Sequence, residues 1–122
     1  SSAASDVYKR QPLNLGLKFL GENPKELPPC LKILNEHDPK YGEIFKPLFE
    51  VTFAPRALDA KTKLLIAMAI NARTGMGYGC REIAKILKDM GTKEEEIAEA
   101  LRVASTVGAI QAVTTGAEAY SK

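Results

Sequence analysis

The side chains best suited to chemistry gather in one short stretch, Met76-Gly77-Tyr78-Gly79-Cys80-Arg81-Glu82. Cys80 is the candidate nucleophile, because unpaired N–H groups and the macrodipole at a helix start push a thiol toward its thiolate. The same residue also reads as a small, packed side chain, and the residues alone leave both readings open. Tyr78, Arg81 and Glu82 are candidate ligand-binding residues. Arg81 would clamp an anion with its planar guanidinium, and Tyr78 would wall the pocket. The plainer reading is a solvated helix start, with Glu82 favoured by the positive helix end and Arg81 facing water. Cys30 lies far away in the chain and reads as core, and His37, the sole histidine, reads as a solvated turn residue. One histidine and two distant cysteines form no familiar zinc or transition-metal spacing, so neither a metal nor a cofactor is expected. There is no G-x-S-x-G, and no strand pattern precedes MGYGC that would make it a phosphate loop.

The elements that must position these groups read as helices. Cys30, Leu31, Ile33 and Leu34 make one stripe, which stops where Asn35, His37, Asp38 and Pro39 crowd together. Asp38 before Pro39 starts a helix, with a carboxylate to cap and a ring tolerated at the first position. That helix should reach about Phe53, with a kink or break at Pro47. Asp59 caps a helix whose residues Leu64, Leu65, Ile66, Met68 and Ile70 are dense enough to predict burial on most sides. Gly75, Gly77 and Gly79 then predict a flexible turn, after which a helix opens at about Cys80. Its residues Ile83, Ile86, Leu87 and Met90 follow the i, i+3, i+4, i+7 rule, and Gly91 stands at a left-handed cap. Thr92 and Glu95 read as a capping box for the last helix. That helix turns rich in small residues from Ala104 through Gly108 to Gly116, which suits close packing within the chain or between subunits.

The chain of 122 residues suits one domain. Its first eleven residues, SSAASDVYKRQ, resemble a cloning scar or read as a natural disordered tail, and are set apart from a helical domain over 12–122. From Pro12 to about Pro29 the chain reads as an N-terminal arm with at most a short helix between Leu13 and Leu20. Seventeen basic and fifteen acidic residues, interspersed along the chain, make no nucleic-acid footprint. The apolar run Leu64 to Ile70 falls far short of the ~20 residues a bilayer span needs. With no secretory signal ahead of the two cysteines, a reduced, cytoplasmic setting is expected.

The segments LDAKTKLLIAMAINA and GTKEEEIAEALRVAS, in this order, resemble the carboxymuconolactone decarboxylase and alkylhydroperoxidase D-like family. The resemblance implies an all-α domain of about five or six helices that assembles as a homo-oligomer, a trimer or hexamer. In the alkylhydroperoxidase-type members a glutamate, a C-x-x-C and a histidine relay protons to and from a reactive thiol. Aligned without gaps from Gly91, those positions hold Leu64, Met76 and Gly79, and Ile83. Shifting the register by one residue brings Cys80 into line but puts Gly77 and Ala84 at the other cysteine and the histidine. The resemblance therefore implies a divergent, non-redox member that binds or transforms a small anionic metabolite, such as the lactone acids of the decarboxylase branch. Two alternatives stand beside it: a peroxiredoxin-like antioxidant acting through Cys80, and a non-catalytic homo-oligomeric interaction protein.

Overall fold

The structure, a computed structural model, describes residues 29–122, with side chains from Lys32 onward. The arm and its short helix, and the side chain of Cys30, lie outside the described residues. Among the described residues there are five α-helices and no strand: α1 (Pro29–His37), α2 (Pro39–Phe53), α3 (Ala60–Thr74), α4 (Gly77–Asp89) and α5 (Glu94–Gly116). A single 3-10 turn, Ala117–Tyr120, follows α5. The architecture is all-α, as expected. The chain divides into two compact units between Lys63 and Leu64, within α3.

In the first unit, Asp38 caps α2 as its position before Pro39 predicts, its Oδ1 accepting the Tyr41 N–H at 3.2 Å. α1 and α2 approach closely at Gly42, where a Cβ would come within 3.0 Å of Asn35 Oδ1. Pro47 does not break α2, which runs on to Phe53. Tyr41, Phe45, Phe49 and Phe53, four residues apart, stack along it with ring centroids 6.0, 5.2 and 5.6 Å apart. Lys63 Nζ closes the far end, donating to the carbonyls of Thr52 (2.9 Å) and Ala54 (2.6 Å). Asp59 Oδ1 accepts the Thr62 N–H at 2.7 Å and starts α3. This hydrogen bonding with Thr62 holds the Asp59 carboxyl below its ordinary range, because it favours the charged form.

The second unit buries Leu64 and Met68 of α3, Ile83 and Leu87 of α4, and Ala104 of α5. The expectation that α3 is covered on most sides is corrected here. Its buried residues Ala60, Leu64 and Met68 repeat every fourth position on one face, while Ile66 and Ile70 are exposed. Density of apolar residues carried that expectation, and periodicity decided the outcome. α4 ends as predicted: Gly91 has φ +83°, Thr92 N–H donates to Leu87 O and Gly91 N–H to Lys88 O. The capping box falls one residue later than read. Lys93 is the cap position, and Glu96 Oε2 accepts its N–H at 3.0 Å. Thr92 is buried with its hydroxyl unpartnered.

Candidate functional site

The site reads from the turn that joins α3 to α4. Gly75, at φ +80°, ends α3, and Met76 N–H donates to Asn71 O at 2.8 Å. Of the three glycines in the turn only Gly75 needs a left-handed backbone, since Gly77 and Gly79 already lie in α4. α4 therefore opens three residues earlier than the sequence predicted, and Cys80 stands past its first turn. The Cys80 N–H is committed to Met76 O at 3.1 Å, so it is not among the unpaired donors of a helix start.

Helical geometry then separates residues that sit side by side in sequence. Two residues along an α-helix rotate a side chain by roughly 200°, which sets Cys80 opposite Tyr78. Cys80 shares its face with buried Ile83 and Leu87, and its Sγ donates to Met68 O of α3 at 3.6 Å. Tyr78, Arg81, Glu82 and Lys85 occupy the other face. There the Arg81 guanidinium carbon lies 6.0 Å from the Tyr78 ring centroid, the outer edge of cation–π contact. Glu82 is engaged with Lys85 at 2.9 Å. The structure thus brings Tyr78 and Arg81 together, turns Glu82 toward Lys85, and points Cys80 away from all three.

The positions matching the family's relay have structural occupants. Leu64 and Ile83, at the glutamate and histidine positions, are fully buried hydrocarbon. Met76 is exposed. Gly79 is buried because the Asn71 side chain fills the space beside it: a Cβ there would collide with the Asn71 amide and approach Met76 Cγ to 3.0 Å. Asn71 is a site residue that the sequence reading missed, since its role depends on a contact between two helices. Arg73 was missed for the same reason. Its Nη2 donates to Gln111 Oε1 of α5 at 3.0 Å, and its guanidinium lies over Gly108, where a Cβ would be 3.0 Å from Cζ. The signal available was a glycine inside a long helix, which the sequence reading took as room for a neighbouring helix. Among the described residues, no group of three His, Cys, Asp or Glu could hold a metal ion. No helix among them is long and apolar enough to cross a membrane.

Residues 39–122 match the carboxymuconolactone decarboxylase family, a match that opens at the first residue of α2 and runs through α5. The chain belongs to that family. An uncharacterized protein of Methanocaldococcus jannaschii is 31% identical over 98 residues, covering 75% of this chain and 89% of that protein. No solved structure matches. At the positions that the resemblance aligns with the relay of redox members, this chain has hydrocarbon at Leu64 and Ile83, glycine at Gly79 and the thioether of Met76.

Proposed function

We propose that this family member carries out no thiol redox chemistry and binds a small organic anion at the solvent face of the first turn of α4. The observation that carries the reading is the state of that helix end. Met76, at the cap position, makes no side-chain bond to the first N–H groups, and the Arg81 guanidinium carbon lies 6.0 Å from the ring centroid of Tyr78 in the first turn. Backbone donors and a guanidinium on one side suit a carboxylate. The antioxidant alternative needs a base for Cys80, and the side chains sharing its face are Ile83 and Leu87. A panel of short mono- and dicarboxylic acids tested by thermal shift and calorimetry decides the matter. A bound acid at a hundred times its Kd adds about 2.7 kcal/mol of stability. Arg81→Gln should abolish that gain and Cys80→Ser should leave it. If no acid stabilises the protein, or if Arg81→Gln makes no difference, the reading fails.

A second reading rests on α5. From Ala109 to its end this helix buries no side chain, and it exposes Ile110 and Val113 (58% and 74% accessible). A lone helical segment of that length is marginal in water and is ordinarily held by packing of an apolar face. A homo-oligomer, trimer or hexamer, would supply the cover. Sedimentation should give an oligomer that Ile110→Asp/Val113→Asp dissociates; a wild-type monomer at tens of micromolar refutes it.

A further inference from the structure

Away from the turn, α3 and α5 border an open surface groove of about 410 Å³. Its floor is apolar: Ala69 and Ile70 from α3, and Val103, Ala104 and Val107 from α5. One charge borders it, the Arg73 guanidinium, and two independent contacts hold that charge in place. Nη2 is tied to Gln111 Oε1 at 3.0 Å, and the bare backbone at Gly108 leaves the space in which Cζ sits. An arginine present only to favour the C-terminal end of α3 would need neither contact. Among the described residues no carboxylate pairs with Arg73, whereas Lys85 and Lys88 are each paired with a glutamate.

We infer that this groove is a binding site for a small amphiphilic carboxylate, with its aliphatic body on the Ile70, Val103 and Val107 floor and its carboxylate on Arg73. The volume falls within the ~300–1,000 Å³ of small-molecule sites. With one N–H spent on Gln111, the guanidinium keeps donors enough for a carboxylate, and that bond is strongest when the fork is already oriented. The site is independent of Arg81 and of the first turn of α4, so either proposal stands or falls without the other.

Calorimetry with octanoate, octan-1-ol and acetate, below the concentration at which octanoate forms micelles, tests the inference. Octanoate should bind at least tenfold more tightly than the alcohol, which lacks the charge, or acetate, which lacks the body. Arg73→Gln should bring octanoate down to the level of the alcohol. Gly108→Ala should weaken octanoate binding with the charge retained, because the added methyl displaces the guanidinium, and Arg81→Gln should leave it unchanged. The inference is overturned if acid and alcohol bind alike, if Arg73→Gln changes nothing, or if octanoate binds only after Ile110→Asp/Val113→Asp, outside the groove lining, has dissociated an oligomer, which would make the groove a contact between copies.

Discussion

Replacing Leu64 with glutamate puts a carboxyl at the position where redox members of the family keep theirs, and the structure states what that costs here. Leu64 is 1% accessible, so the change forfeits the burial of a leucine side chain, about 1.5–3 kcal/mol. A protonated carboxyl left there without a partner adds about 1–3 kcal/mol, and ionising it adds several more. The expected loss is about 4 kcal/mol in acid and larger at neutral pH, against a total stability of roughly 5–15 kcal/mol for a domain. The direction with pH follows from burial, which raises the pKa of the introduced group above its unfolded value of about 4.3. Relative to the parent, the variant is least impaired below that value. It loses ground by about 1.4 kcal/mol per unit as the pH rises, until the carboxyl ionises in the fold. Urea unfolding followed by far-UV circular dichroism at pH 4, 5.5 and 7 gives the three values needed. A loss under about 1 kcal/mol at all three would mean that position 64 reaches water, and the case for a sealed core in place of a proton path would collapse.

Asp59→Ala should cost about 1 kcal/mol by removing the cap of α3. The Asp59 carboxyl is held low chiefly by its hydrogen bonds with Thr62, so its contribution is complete above the ordinary carboxylate range. The gap between parent and variant should therefore begin to close as the pH falls into that range and finish closing below it, where the lowered carboxyl itself protonates, and a gap that widens in acid would contradict the assignment. Thr92→Val should raise stability by about 1 kcal/mol, since it removes a buried hydroxyl with no partner; a fall of similar size would mean that the hydroxyl caps α5 after all. Gly79→Ala should be neutral or destabilising in the parent, where the new methyl meets the Asn71 amide. In an Asn71→Ala background it should instead stabilise by up to about 1 kcal/mol, the helical preference of alanine over glycine. Urea titrations of the four proteins should give a coupling of at least ~0.5 kcal/mol, and additivity would show that the two side chains do not compete for one space.

The helix boundaries that sequence reading located well are those set by local chemistry. Asp38 before Pro39, Asp59 before Ala60 and Gly91 after Met90 act through bonds to residues three to five positions away, so the stretch of chain around each holds all the information. What escaped depends on contacts across helices. Cys80, Tyr78 and Arg81 are neighbours in sequence, yet the face each takes was hidden until α4 was seen to open at Gly77. The bare backbone at Gly79 and Gly108 is filled by Asn71 and Arg73, side chains whose distance along the chain left no periodic trace. The loss of the relay was legible because it is a matter of residue identity at aligned positions, and the structure adds that two of the replacements are fully buried core.

The most direct test of the central claim is peroxide consumption by the purified protein supplied with a reducing dithiol. Organic hydroperoxide should disappear no faster than in the protein-free control, and wild type and Cys80→Ser should be indistinguishable. Sustained turnover by wild type that Cys80→Ser abolishes would show that Cys80 has found a base, and would contradict the account.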